Sequence, residues 1–377
     1  MSPVTTQQIN ADEILVNIGP QHPATHGVLR LVARTDGEVV RKLYPHIGYL
    51  HRCAEKIGEN VEFNQYIPYT DRMDYLSAAN INLGYCLAIE KLCAIEVPER
   101  ARHIRVILAE LNRIASHCIA FGTYALDLGA FTPFFYGFRE REMILDIFEK
   151  YCGARLTYSC LRIGGGMRDL DMDLIGDIYR FCDHFEETWP EYNTLVSENE
   201  IFIKRTANVG AFTAEQAMDW GWTGPCLRGS GVKYDIRKAE PYSDYEYFDF
   251  DVPVGEGLKG TQGDCWDRYY VRVLEMMESL KIVRQALDTL PDGPFIGKVK
   301  KIIKAPEGEV SMRTESSRGE LNFYVVGNGD KLLHRCRARG PSFCNVAPVT
   351  ELCEDVLLAD VMAVVGSLDI VLGEVDR

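Results

Sequence analysis

The chain has 377 residues, of which 46% are hydrophobic and 25% charged, and a formal net charge of −14. That length allows two or three packed units, and the balance of residue types excludes wholesale disorder. The acidic excess argues against nonspecific nucleic-acid binding, which needs Lys and Arg to displace counterions.

Residues 1–10 read as a polar tail. Residues 13–50 read as strands, with Leu15–Ile18, Val28–Ala33 and Glu38–Leu43 rich in β-formers and Asp36-Gly37 as a hairpin signal. Between the first two strands lies Gly19 to Gly27, a loop with two prolines and two glycines that carries His22 and His26. From about residue 48 the period becomes helical. The pattern predicts a helix over 71–95 with Tyr75 in its first turn, then a second helix that starts near Pro98. In that second helix Ile104, Ile107, Leu108, Leu111, Ile114, Ala115 and Cys118 recur at helical spacing, and the run stops at Asp127-Leu128-Gly129. Two more helices, over 133–151 and 172–195, complete a bundle of four.

Residues 201–263 are rich in Gly, aromatics and turns. A long helix is predicted over 268–290, strand-like alternation over 298–326 and a last helix over 353–368. No run is uninterrupted enough to cross a membrane, because His117, Asp127 and Pro133 break 115–138 and Asp360 and Asp369 break 356–373. The predicted organisation is an N-terminal β domain (1–50) bearing the histidine loop, a helical bundle (51–200), a mixed α/β segment (201–264) and a C-terminal helix, strands and last helix (265–377). The fold class is α+β, a small N-terminal antiparallel sheet packed on a helical bundle.

Local motifs for common cofactors fail. The 12 cysteines include no C-x-x-C pair, so no metal site is expected, and they read as small buried residues of a reducing compartment. No basic-then-apolar leader is expected. Gly164-Gly165-Gly166 lacks the dinucleotide spacing, and Val299 follows Gly297-Lys298 where a phosphate loop needs Ser or Thr. Asp127 is the sharpest single residue. A carboxylate at the end of an apolar helix opposes the helix dipole, so it either stays exposed near the cap or takes a cationic or hydrogen-bonding partner such as His26. Arg52 and Arg162, in turns, carry no meaning alone, and Arg139 to Glu142 reads as solvated ion pairs.

Several stretches together resemble one family. They are Asn17 to Leu31 (NIGPQHPATHGVLRL), His46 to Arg52 (HIGYLHR), Asp71-Arg72-Met73-Asp74-Tyr75, Leu126 to Phe135 (LDLGAFTPFF) and Gly373 to Arg377 (GEVDR). The chain is similar over nearly its whole length to the 49-kDa (D-type) subunit of respiratory complex I. That family includes the corresponding deazaflavin dehydrogenase subunits of methanogens and is itself related to the large subunit of nickel–iron hydrogenases.

The resemblance implies a hydrogenase large-subunit-like fold. It also implies a quinone-site subunit that passes electrons from a neighbouring iron–sulfur cluster to a quinone-like acceptor, coupled to ion pumping. By it, the two C-x-x-C pairs of the nickel enzymes fall on Asp74 and Ser77 and on Val371 and Glu374. None is Cys, and soft metal ligation needs thiolates. It makes Tyr75, His26 and Asp127 catalytic: the phenol serves one carbonyl of the acceptor, the imidazole the other, and Asp127 pairs with His26. Arg52, His22, Arg72 and Arg162 are the implied binding residues, with Arg52 close to the cluster.

No cofactor is expected on this chain alone. The acceptor, menaquinone, ubiquinone or methanophenazine, sits where the chain meets the subunit that carries the terminal [4Fe–4S] cluster. The implied donor is NADH, reduced deazaflavin or ferredoxin. Further implied partners are the other peripheral-arm subunits and a membrane-arm quinone-channel subunit, which places the chain peripherally on the cytoplasmic face of the membrane. One departure is Thr157, where many relatives carry a His linked to proton-coupled tuning of the cluster; a neutral Thr implies loss of that pH dependence and hints at a low-potential acceptor. The rival readings are a nickel–iron hydrogenase-like large subunit and a non-catalytic scaffold.

Overall fold

The computed structural model describes residues 4–8, 13–22 and 27–377. His26 lies outside the described residues. A five-stranded antiparallel sheet is built in the order Val4–Gln8, Glu13–Ile18, Arg30–Asp36, Val39–His46, Val356–Leu357. Alternation sets its faces: Leu31, Ala33 and Thr35 are buried while their neighbours turn outward. The predicted hairpin is present, with Asp36 paired to Val39 across a turn at Gly37, whose φ is +59°. The fifth strand comes from the far end of the sequence and pairs Val356 with Val40, which ties the two ends of the chain into one unit.

The helical part is a bundle around one axis. We label the helices α1 (Phe63–Asp71), α2 (Ala78–Cys93), α3 (Glu99–Asp127), α4 (Thr132–Cys152), α5 (Met172–Tyr192), α6 (Cys265–Asp288), α7 (Leu358–Leu368) and α8 (Leu372–Asp376). Helix α3 spans 29 residues and is packed by α2, α4, α6 and α7, so most of its surface is buried, polar positions included. It stops where the sequence predicts, at Asp127. A second, three-stranded sheet (Gly308–Ser316, Gly319–Gly327, Arg335–Arg339) lies against α2.

Four expectations need correction. The helix predicted over 71–95 is two helices, α1 and α2, broken at 72–77, so Tyr75 stands in the connecting turn and not in a first helical turn. The break has a local cause: Asp74 Oδ1 accepts hydrogen bonds from the backbone N–H of Leu76 and Ser77, both at 3.2 Å, which competes with helix continuation. Residues 201–264 hold short helices and turns but no strand. Their helix starts are marked by side-chain caps at Asn199, Thr213 and Asp235, a signal that the aromatic content masks. Residues 298–304 are irregular, and the strands begin at Gly308. The last helix starts at Leu358, because Val356 and Leu357 are drawn into the first sheet.

Helices α3 and α4 approach closely through glycine. A Cβ at Gly137 would sit 2.5 Å from the Cys118 carbonyl oxygen, and one at Gly122 would sit 3.0 Å from Phe134 Cα. Both contacts are with backbone, which has little freedom to give way. Gly137→Ala should therefore destabilise the chain by about 1–3 kcal/mol, the usual cost of overpacking. Thermal or denaturant unfolding of the full chain checks this, and an unchanged midpoint would refute it.

Candidate functional site

The centre of the bundle is organised by one guanidinium. Arg318 sits in the two-residue turn between the strands 308–316 and 319–327 and is fully buried. Its Nη1 donates to Asp74 Oδ2 (2.9 Å) and Ser116 Oγ (3.0 Å), its Nε donates to the Asp369 carbonyl (3.0 Å), and its Nη2 lies 3.5 Å from Asp369 Oδ1. Glu374 stands nearby and accepts from the Ser342 N–H at 3.0 Å. Although burial opposes the charge, Asp369, Asp74 and Glu374 hold the guanidinium cationic.

One cation cannot neutralise three buried carboxyls. Burial first, then repulsion from Asp74, pushes the Glu374 carboxyl up to about 7. Asp74 is also raised by burial and by Asp369, against the pull of Arg318. Both shifts favour the protonated form on the Asp74–Glu374 side, while Arg318 stays charged.

This ring gathers the positions that the resemblance equates with metal ligands. Asp74 and Glu374 flank Arg318. Ser77 Oγ bonds Ser317 Oγ at 2.6 Å, and the Val371 N–H donates to Ser342 Oγ at 3.3 Å. A Cβ at Gly373 would lie 2.8 Å from the Met73 carbonyl oxygen, so the two stretches meet at backbone distance. The donor set is two carboxyls, a hydroxyl and an isopropyl group, which does not fit a soft metal. The positive charge at this place belongs to Arg318.

Beside the ring opens a cavity of 530 Å³. Its walls are apolar: Leu76, Ile119, Leu126, Phe138, Ile370 and Val371. Its polar groups are His22, Tyr75, Thr123, Asp127 and Asp369. Residues from the histidine loop, the 72–77 turn, the end of α3 and the chain after α7 thus converge on one space. Asp127 is the last residue of α3 and lies against Gly366 of α7, where a Cβ would meet the Tyr124 ring at 2.8 Å. Burial pushes the Tyr75 phenol above its ordinary range, and Asp74 adds to this while Arg318 and Arg52 oppose it. The phenol therefore stays protonated and can donate.

The structure brings Tyr75, Asp127 and His22 to one cavity. Arg52, Arg72 and Arg162 do not line it. They surround the other side of the 71–77 turn: Arg52 Nη2 donates to the Arg72 carbonyl at 2.6 Å, and Arg72 and Arg162 both act on Asp71. Burial pushes that Asp71 carboxyl up to about 7, although Asn82 and the Ser159 N–H bond it at 2.9 Å each. Thr157, half-buried, lies in the loop leading to Ser159. Sequence reasoning missed Arg318 and Asp369. The available signal was Ser316-Ser317-Arg318-Gly319, a polar turn in a β-rich stretch, and a lone Asp after the apolar and small residues of α7.

Comparison with known proteins gives a consistent result. The family model described as respiratory-chain NADH dehydrogenase, 49 Kd subunit, matches residues 127–304 and 297–377. The chain is 50% identical over 366 residues to a D-type subunit of NADH-quinone oxidoreductase from Anaeromyxobacter sp. (strain K), covering 97% of each. It is 50% identical over 368 residues to the D-type subunit of NADH-quinone oxidoreductase from Desulforamulus reducens, covering 98% of this chain and 99% of the relative. It is 48% identical over 375 residues to the D-type subunit from Chlorobaculum tepidum, covering 98% and 94%.

Two outcomes are expected from the ring. Arg318→Met strands its carboxylate partners in the interior and should cost about 3–5 kcal/mol, read as a large fall in unfolding midpoint of the full chain; an unchanged midpoint would refute the assigned role. The raised Glu374 carboxyl binds its proton more tightly folded than unfolded. Its contribution favours folding below the ordinary carboxylate range and is lost as pH rises through about 7. Glu374→Gln should therefore gain stability relative to the parent as pH is raised from the acid side through that value, and a pH-independent difference in melting temperature would contradict this.

Proposed function

Because the chain belongs to the family of the 49-kDa subunit of respiratory-chain NADH dehydrogenase, we propose that it forms the quinone site of an NADH:quinone oxidoreductase and works only within that assembly. The observation that carries this reading is the apolar cavity in which Tyr75, His22 and Asp127 meet beside a ring that does not fit a metal. A quinone head group is planar, apolar and neutral, and it carries two carbonyl oxygens that need donors. The quinone is the substrate here, not a resident cofactor.

Reduction adds two electrons and two protons. Donors aimed at the carbonyl oxygens bind more strongly as negative charge develops on them. The protonated Tyr75 phenol serves one oxygen in this reading, and a histidine of the 22–26 loop serves the other, His26 by the resemblance. Asp127 favours the imidazolium form of that partner. When the imidazolium gives up its proton, Asp127 becomes an uncompensated charge, and this change is the proposed signal to ion pumping in the membrane arm.

Electrons arrive, in this proposal, from the protein that carries the terminal [4Fe–4S] cluster, docked on the Arg52, Arg72 and Arg162 side of the turn. The names of the relatives favour NADH as ultimate donor. Menaquinone or methanophenazine as acceptor rests on Thr157, and reduced deazaflavin or ferredoxin as donor rests on the resemblance alone. No helix among the described residues is long and apolar enough to cross a membrane. Phe131 and Phe135, 59% and 57% exposed next to the end of α3, suit docking on a membrane-arm protein at the cytoplasmic face.

In the assembled complex, Tyr75→Phe should lower quinone reduction by about a hundredfold to a thousandfold, the scale set by loss of one transition-state donor. Electron transfer from NADH to a soluble artificial acceptor should be retained. Full quinone reduction in this variant would favour the scaffold reading, in which another subunit holds the quinone.

A further inference from the structure

Behind the acceptor cavity lies a second, closed one with about 10 Å³ of space for a water centre, which is one water molecule's worth. His117, Tyr124, Arg272 and Asp369 line it, and Phe121 and Tyr269 form its apolar wall. Asp369 also lines the acceptor cavity and is the residue that the two linings share.

Four buried polar atoms of these lining residues have no hydrogen bond to the rest of the described protein: His117 Nδ1, the Tyr124 hydroxyl, Arg272 Nε and Asp369 Oδ2. Each of the four residues is at least nine-tenths buried. Arg272 Nε and Asp369 Oδ2 are 3.8 Å apart, too far for a direct bond and right for a bridged one. The other nitrogens of Arg272 are committed to the end of α7, where Nη1 donates to the Ser367 carbonyl (2.7 Å) and Nη2 to the Leu368 carbonyl (3.1 Å). The Tyr124 hydroxyl stands beside Cys265, so the bridge proposed below uses only the other three atoms, which belong to His117, Arg272 and Asp369.

The donor and acceptor types match a single water. His117 Nε2 is 3.1 Å from Glu275 Oε2, and Glu275 is held ionised by Arg228, whose Nε donates to it at 2.6 Å. A neutral His117 then carries its proton on Nε2 and turns an acceptor, Nδ1, to the cavity. A water there accepts from Arg272 Nε and donates to Asp369 Oδ2 and His117 Nδ1, using both of its protons.

Resting on the quinone-site reading above, we propose that this cavity binds one structural water that ties Asp369, on the wall of the acceptor site, to His117, and that His117 is a positioning residue which works in its neutral form.

Protonation of His117 would replace an acceptor by a donor. The water would then face two donors and one carboxylate, and Asp369 would be drawn from Arg318 towards the new imidazolium. The charged groups around His117 are Glu275 and Arg272 on α6, Arg113 on its own helix, and Asp369 across the cavity, with Arg228 behind Glu275. Burial, helped by Arg113 and Arg272, holds His117 below the ordinary histidine range against the pull of Glu275. It is therefore neutral at neutral pH, and the disturbance falls on the acid side.

The test uses the assembled complex in its membrane, with a short-chain quinone titrated at a series of pH values from about 5 to about 8, the range that spans histidine titration. His117→Leu keeps neither hydrogen bond and should reduce kcat/KM at neutral pH by about fivefold or more, on the scale of a lost hydrogen bond. His117→Gln offers an amide N–H to Glu275 and an amide oxygen to the water, yet cannot titrate. It should restore most of the loss seen with Leu and lack the acid fall shown by the parent. An acid fall identical to the parent's in His117→Gln would overturn the inference even if the Leu variant fails to assemble, as would activity of His117→Leu equal to the parent's. Tyr75→Phe measured alongside separates the two readings. If it is impaired while the His117 variants are not, only the water site falls; if it too is unimpaired, the quinone site falls with it.

Discussion

The structure depends on Arg318 standing as the cation at the point where both ends of the functional region meet. Its neighbours Asp74 and Asp369 come from opposite halves of the sequence, and Glu374 adds a third acid. A buried guanidinium of this kind is a poor source of net stability, because desolvation takes back most of the Coulomb gain. What it does supply is uniqueness. The fork can reach the Asp74 carboxylate, the Ser116 hydroxyl and the Asp369 carbonyl together in very few arrangements, so the turn at 72–77 and the chain after α7 are held in one relative position.

That position makes the cavity. Asp74 is held by Arg318 through one oxygen and takes two backbone N–H groups with the other, which breaks the helix and lets Tyr75 face the open space. Asp369 ends α7 in the left-handed conformation, φ +51°, which short polar residues tolerate. That turn sends Ile370 and Val371 along the cavity wall. The last residues are then knotted to the segment before α1. Asp376 accepts from the N–H groups of Gly48 and Leu50, both at 2.7 Å, and the Arg52 N–H donates to the Arg377 carbonyl at 3.1 Å. The stretches His46–Arg52 and Gly373–Arg377 are thus two halves of one contact.

Much of this was legible in the residues. The hairpin at Gly37, the length of α3 and its end at Asp127 follow from turn chemistry and a 3.6-residue period, and those signals are local. The family resemblance supplied Tyr75, His26 and Asp127 as one set and His22 with Arg52, Arg72 and Arg162 as another, and the cavity takes Tyr75 and Asp127 from the first and His22 from the second. What sequence could not show were effects that need two distant segments at once. The break before α2 depends on Asp74 being captured by its own backbone while Arg318 holds its other oxygen. The strand at Val356–Leu357 exists only because Val39 and Val40 offer an edge, and Arg318 reads as a surface turn residue until its three acids are placed around it. The alternation over 298–304 misled for the opposite reason: a local pattern with no neighbouring strand to pair with stays irregular.

The division of labour between ring and cavity has a chemical consequence. Arg318 and Arg272 do not line the cavity and are paired with acids, Asp369 reaches its wall, and the cavity itself presents mainly hydrocarbon with a few single hydrogen-bonding groups. A neutral, flat molecule can enter such a space without having to desolvate the cations, since they are already paired. In the proposed quinone site, charge that develops on the acceptor oxygens meets guanidiniums already paired with Asp74 and Asp369, so the groups left to respond to it are the single hydrogen-bond donors of the cavity, and a donor that binds the charged form more strongly is the kind that lowers a barrier. Asp369 joins the two parts, since it faces both guanidiniums and also lines the cavity.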